Sequence, residues 1–341
     1  MNLKDINVGI VSTGVYLPED VITAAEIAAS TNGVWAEDAV KEKLGIIKKR
    51  VPGNNDGTQE MGVKAAKKAL EKGDIAPAEI DLILCVGEEW KEYPLTTSGI
   101  YIQEQIGAVN AWAIDIQQRC CTTISAMKIA KDMMIADEDL KTVMIVGGYR
   151  NSDFVDYTDK TMSMMYNLAA GAGALILRRN YVKNLVLGSH IISDGSMSRD
   201  ALVVYGGTEN PINAENCNIA YRSLTLANEE HMKSRLNEVS MSNWIHCIDK
   251  AFEKSGVDKK ELGYLAVLHF KYSMYKYMLD LLGLTEEQSV YLNKIGHVGQ
   301  IDQIISLEMG LEQGKIKDGT IIAMIAAGIG YAWAANVIRW G

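Results

Sequence analysis

Cys120 stands where two local patterns meet, and their junction can make a nucleophile. Residues 113–116 end an apolar strand, and from Thr122 to about Ala136 the residues Ile124, Met127, Ile129, Ala130 and Met133 recur at helical spacing. Cys120 and Cys121 therefore fall where a strand turns into a helix. The unpaired amides and positive dipole end of a first helical turn favour negative charge, which suits covalent catalysis by a thiol. Cysteine is also among the most buried residue types, so core packing is the competing reading of this stretch taken alone. Two histidines add weight to the chemical one. His269 lies just past an apolar strand, and His297 sits in Gly296-His297-Val298-Gly299-Gln300, ahead of a second helix.

Composition narrows the classes. The 341 residues are 48% hydrophobic and 23% charged, the balance of a globular chain with ample core. A net charge of −9 disfavours a broad nucleic-acid surface. There is no apolar run of membrane-spanning length and no signal-like N-terminus, so we expect a soluble cytoplasmic protein. The five cysteines are odd in number and include no CxxC pair, and no HxxxH occurs among the five histidines, so neither a disulfide framework nor a metal site is expected. Cys85, Cys217 and Cys247 read as packing, and Cys121 as a structural neighbour pointing away from the pocket.

Strands and helices alternate along the chain, the mark of an α/β fold. Strands are expected at 6–16, 80–86, 143–146 and 174–177, and helices at 23–30, 38–44, 97–106 and from Thr58, which reads as an N-cap. The chain also repeats itself. Residues 69–86 lie over 251–268 at an offset of 182, and 143–148 over 323–328 at an offset of 180. We read two pseudo-symmetric α/β halves, 1–175 and 176–341, with Cys120 in the first and both histidines in the second. Corresponding strand ends should meet near a pseudo-two-fold axis, and open α/β sheets bind ligands at the carboxyl ends of their strands. Cys120, His269 and His297 are thus expected to converge from both halves.

With these features in order, the chain resembles the thiolase superfamily, and within it condensing enzymes of the ketoacyl-acyl-carrier-protein synthase III type. The likeness runs from Gly14-Val-Tyr-Leu-Pro18 through Gly45-Ile46, Pro94, Asp115 five residues before Cys120, Thr158-Asp159 and Gly171-Ala-Gly-Ala174. It continues in Gly296-His297 and Gly328-Ile-Gly-Tyr-Ala-Trp333. The resemblance implies a layered αβαβα fold and a homodimer. It places the nucleophile on Cys120 and the first histidine on His269, with His297 at the family's asparagine position. The amides of Cys120 and Gly330 would form the oxyanion hole, and Tyr93 would reach the partner subunit's acyl pocket. The implied reaction is ping-pong: Cys120 takes an acyl group from a coenzyme A or carrier-protein thioester, then condenses it with a malonyl thioester, releasing carbon dioxide. His269 and His297 would donate to the enolate oxygen, which makes the tautomer of each important. No cofactor is implied beyond the thioester substrates.

Several residues depart from that pattern or stay open. Gln117-Gln-Arg-Cys-Cys-Thr-Thr123 replaces the family's small residues, and Arg119 either acts on the neighbouring thiol or faces solvent. These departures point away from the substrate of a housekeeping fatty-acid initiator. Glu88-Glu89 follow a buried strand; Glu89 matches the acid/base glutamate of related hydroxymethylglutaryl-CoA synthases, against the reading of a solvated acidic turn. Lys48, Lys49 and Arg50 form a basic knot that would contact phosphates or simply be solvated. Arg150 would pair a substrate carboxylate or make an ordinary ion pair. Three functions stay in play: a decarboxylating synthase, a non-decarboxylating condensing enzyme or acyltransferase using Glu89, and a silent thiolase-fold subunit.

Overall fold

A computed structural model describes residues 6–329 and 331–341. The first half runs β1 (Val8–Tyr16), β2 (Val21–Thr23), α1 (Ala24–Ser30), α2 (Glu37–Glu42), β3 (Lys48–Arg50), α3 (Thr58–Gly73), β4 (Leu82–Cys85), α4 (Ser98–Ile106), β5 (Trp112–Asp115), α5 (Thr122–Ala136), β6 (Thr142–Tyr149) and β7 (Gly171–Arg179). The second runs β8 (Leu185–Ser193), β9 (Ala201–Val203), β10 (Leu224–Leu226), α6 (Glu229–Ser255), β11 (Leu262–Val267), α7 (Tyr272–Leu282), α8 (Asp302–Glu312), β12 (Ile321–Gly328) and β13 (Ala332–Arg339).

Nine strands hydrogen-bond in the order β11-β12-β13-β8-β1-β7-β6-β4-β5. Read outward from the centre, the first half is β1-β7-β6-β4-β5. The second is β8-β13-β12-β11, followed by Ser289, which bridges Leu265 in parallel. The two halves thus share one topology, joined where Gly9 pairs with Leu185. The division at 175 cuts β7, whose residues up to Arg179 pair with β1 and β6; the change of half falls in the turn 180–184.

Helix packing gives the layers. α3 lies on β1, β7 and β6, and α6 on β8, β13 and β12, while α5 and α8 touch strands of both halves. A helix covered on both sides is buried nearly all round, and its polar residues must find partners inside the protein. Accordingly Thr122 to Met127 of α5 and Asp302 to Leu307 of α8 are all buried. Of the expected helical stripe, Ile124, Met127 and Ala130 are core, whereas Ile129 is exposed. Thr58 is not a cap: it is the first residue of α3, after Gly57. The orphan amides of that helix are met instead by Glu92, which accepts from Gln59 and Glu60.

The turns before α5 and α8 decide where chemistry can occur. Short 3₁₀ turns at Arg119–Cys121 and Gly299–Ile301 lie 180 residues apart, as do the starts of the two helices. Gly299 adopts φ +58°, and a Cβ there would sit 2.3 Å from the Tyr149 ring. We expect Gly299→Ala to cost about 2–3 kcal/mol, from the left-handed backbone and the displaced ring together. A urea midpoint equal to wild type would show that this turn tolerates a side chain.

Candidate active site

Cys120 is half-buried in the middle of its 3₁₀ turn, which is shaped by hydrogen bonds of its own. The Thr122 hydroxyl accepts from the Gln118 amide at 2.8 Å and donates to the Arg119 carbonyl, and the Cys121 amide donates to the Gln118 carbonyl. Across the half–half boundary, His297 Nε2 stands 3.2 Å from Cys120 Sγ. His297 Nδ1 lies 2.6 Å from Asp302 Oδ2, on the first turn of α8. Sulfur, imidazole and carboxylate therefore form one line, with the nucleophile from the first half and the other two groups from the second.

Asp302 is fully buried, and both its oxygens are engaged. Oδ1 accepts from the Val298 amide at 2.7 Å; Oδ2 accepts from the His269 amide at 2.7 Å as well as meeting His297. Burial alone would push the His297 imidazole down. The negative charges of Asp302 and of the Cys120 thiolate outweigh it, and hold the imidazole well above its ordinary range. Gly296, at φ +87°, lets the chain turn into His297 against Lys49 and Ala169, where a Cβ would come within 2.6 Å of the lysine.

His269 joins this centre through its backbone, while its ring is committed elsewhere. Nε2 bonds the Gly45 carbonyl at 3.0 Å, Nδ1 receives the Asn167 amide at 3.0 Å, and the ring stacks on Tyr291. A ring nitrogen that faces a carbonyl must carry the proton, so the neutral tautomer is fixed with hydrogen on Nε2. Burial pushes this imidazole down to about 4.

The remaining candidates separate cleanly. Arg119, at φ +52°, pairs with Glu88 at 3.0 Å and Glu89 at 3.4 Å. Glu88 is the buried carboxylate of the two, its carboxyl raised by that burial against the pull of Arg119. Glu89 is 67% exposed, in keeping with a solvated turn. Arg150 is spent on Asp153 at 2.7 Å and on the Asp56 carbonyl at 2.9 Å, the ordinary ion pair rather than a free carboxylate receptor. Lys49 points inward, donating to the Leu168 carbonyl, with its ammonium pushed down to about 7 by burial. Arg50 bonds the Pro18 and Glu19 carbonyls, so only half-buried Lys48 of that basic knot is left to meet a phosphate. Tyr93 is 69% exposed, and Gly330 lies outside the described residues. Cys85, Cys121 and Cys247 are buried, their thiols pushed up by that burial. Cys217 is exposed, not packed as expected. No group of three metal-ligating side chains occurs among the described residues, and none of their helices is long and apolar enough to cross a membrane.

Sequence reasoning missed Asp302 and Asn167. A signal for Asp302 existed: the 180-residue offset sets it over Thr122, and both side chains accept the amide four residues back. Tyr149 also flanks this centre, its ring centroid 6.1 Å from that of His297.

The buried His269 imidazole makes a pH prediction. In the unfolded chain His269 titrates near 6.5, but in the fold only near 4. The unfolded state binds this proton first, so stability falls as pH drops from about 6.5 to about 4, by up to about 3 kcal/mol, and is unaffected above that window. His269→Gln should lose less stability than wild type between pH 7 and 4.5 in urea titrations. Equal losses would contradict the buried neutral ring.

Comparisons with known proteins agree with this geometry. The family model described as 3-oxoacyl-[acyl-carrier-protein (ACP)] synthase III matches residues 114–195, and its C-terminal counterpart matches 252–340. The beta-ketoacyl-[acyl-carrier-protein] synthase III of Clostridium tetani is 28% identical, covering 99% of this chain and 100% of its own. That of Aquifex aeolicus is 27% identical over 97% and 99%. The crystal structure of the Aquifex aeolicus 3-oxoacyl-[acyl-carrier-protein] synthase III superposes with a TM-score of 0.82, at 24% identity over 98% of this chain and 100% of that one. The priming beta-ketosynthase of the R1128 polyketide pathway gives 0.82 at 20% identity, covering 98% and 96%. The strand order repeated in both halves and the cysteine in the turn before α5 are those of a thiolase-type fold, and this chain belongs to the 3-oxoacyl-[acyl-carrier-protein] synthase III family.

Proposed function

We propose that this chain is a condensing acyltransferase that works through an acyl-Cys120 intermediate. The observation that carries the reading is the 3.2 Å approach of His297 Nε2 to Cys120 Sγ at the start of a buried helix. The imidazole takes the thiol proton, the thiolate attacks an acyl thioester, and the Cys120 amide supports the tetrahedral oxyanion. The imidazolium then returns a proton to the departing thiol. The curated relatives are named as synthases that act with acyl carrier protein, and the second step follows theirs: a malonyl thioester loses carbon dioxide and its enolate attacks the acyl group. For this step His297 takes up a proton from solvent and, as imidazolium, donates from Nε2 to the enolate oxygen; the thiolate released from Cys120 then stands beside it, as at the start of the cycle. Acyl groups would arrive as coenzyme A or carrier-protein thioesters.

Brief exposure to a panel of acyl-CoAs, read by intact mass, should give a single adduct that Cys120→Ala abolishes. Subsequent malonyl-CoA should release carbon dioxide and clear the adduct. An adduct that persists in the variant would remove Cys120 from its role.

A homodimer across β5 belongs to the same reading. Among the described residues β5 has a partner strand on one side only, and its Trp112 and Ile114 are 49% and 41% exposed; Leu95, in the loop before α4, is fully exposed. The counterpart segment of the second half, around Ser289, is buried. An apolar open edge is stable in water when a second strand covers it. That arrangement would carry Tyr93 toward the partner's pocket. Light scattering should give twice the chain mass, and Trp112→Glu should shift it toward monomer; a monomeric wild type would refute the edge-to-edge pairing.

A further inference from the structure

We infer that the acyl-Cys120 enzyme also discharges to a hydroxyl acceptor, with His297 as general base. This rests on acylation of Cys120 as proposed above and extends it to a second class of acceptor. The argument is geometric. Asp302 Oδ2 meets His297 Nδ1 at 2.6 Å, which keeps the proton of neutral His297 on Nδ1 and leaves the Nε2 lone pair facing Cys120. Asp302 itself is held by the amides of Val298 and His269, so neither the carboxylate nor the ring is free to turn. An asparagine, which the family resemblance implies at this position, would offer only a donor to an enolate oxygen. A histidine backed by a carboxylate offers an acceptor for a proton, the arrangement by which nucleophile–imidazole–carboxylate sites move acyl groups. The other imidazole cannot take this part, because its Nε2 is tied to the Gly45 carbonyl.

Neutral His297 is the state left once the donor's thiol has departed with the proton. An acceptor hydroxyl entering beside the acyl group gives its proton to Nε2 as its oxygen bonds to the carbonyl carbon. Collapse of the tetrahedral intermediate breaks the carbon–sulfur bond, and the electron pair returns to Cys120 as thiolate beside the imidazolium. The ester leaves, and the thiolate–imidazolium pair is ready for the next thioester, whose thiol carries away the proton. In sum, a thioester and an alcohol become an ester and a thiol, with no oxidant or cofactor. A hydroxyl is the acceptor that such a base serves best, since an amine can attack from its free-base form, whereas an alcohol must lose its proton during attack. Water is the limiting case.

The test uses the whole protein. Wild type is loaded with butyryl-CoA, freed of excess donor and checked by intact mass. It is then mixed with glycerol or with malonyl-CoA across pH 5.5–9, while adduct loss and glyceryl ester are followed. The expected result is ester formation whose rate rises with pH as His297 loses its proton. In His297→Asn, alcohol discharge should fall at least 100-fold relative to discharge by malonyl-CoA. Asp302→Asn should slow it as well, by freeing the ring to hold its proton on Nε2. A wild-type rate that is flat with pH would overturn the inference without recourse to any variant. So would an adduct cleared by malonyl-CoA alone, or a His297→Asn partition within threefold of wild type; each of these leaves the acylation reading intact. Absence of any adduct would overturn both.

Discussion

A single carboxylate with no access to water, that of Asp302, sets the geometry on which this molecule depends. A buried ionised carboxylate is costly unless its lone pairs are met, and the protein meets them with two backbone amides and one imidazole. Each donor comes from a segment that must be somewhere in particular. The Val298 amide fixes the turn before α8, the His269 amide fixes the end of the β11 strand, and the His297 ring fixes the approach to Cys120. Satisfying one charge therefore registers a turn, a strand end and a catalytic side chain against each other. The same need explains the crowding around Gly296 and Gly299, where the chain passes too close to Lys49 and Tyr149 for a side chain.

The duplication makes this centre possible and also makes it one-sided. The two 3₁₀ turns and the helices that follow them are counterparts, so Cys120 has Gln300 as its opposite number, and Thr122 has Asp302. Gln300 is wholly buried; its amide donates to the Val86 carbonyl, and its backbone carbonyl takes the Thr123 hydroxyl. One turn thus became the nucleophile while its twin became a brace. On the threonine side the hydroxyl that takes the amide four residues back is neutral, and its bonds end within the turn. On the aspartate side the same contact brings a second oxygen, and the spare acceptor is what reaches His297.

Much of this was written in short-range pattern. The span of α5 follows from its apolar spacing, and the two halves from runs of residues that recur 180 and 182 positions apart. Those signals are local or self-similar, so they survive without coordinates. What escaped was cooperative over distance. Glu92 caps α3 from a loop more than thirty residues away, and no spacing rule links them. Lys49 and Arg50 look like a phosphate patch in sequence, but strand alternation sends Lys49 inward and carbonyls absorb Arg50. Arg119 and Glu88 are each improbable by position, one at a left-handed residue and one in the core. They make sense only as a pair. The ring of His269 illustrates the same limit: its place in the chain was legible, but the carbonyl that claims its proton belongs to Gly45, 224 residues earlier.

The contact between Cys120 and His297 spans the boundary between the halves, with no strand or helix common to both residues. Any event that separates the halves, even slightly, parts the sulfur from its base before either half need lose its own core. The reactivity of this one thiol toward an alkylating reagent therefore gauges how well the two halves are seated, a built-in strain gauge at the joint of the duplicated molecule.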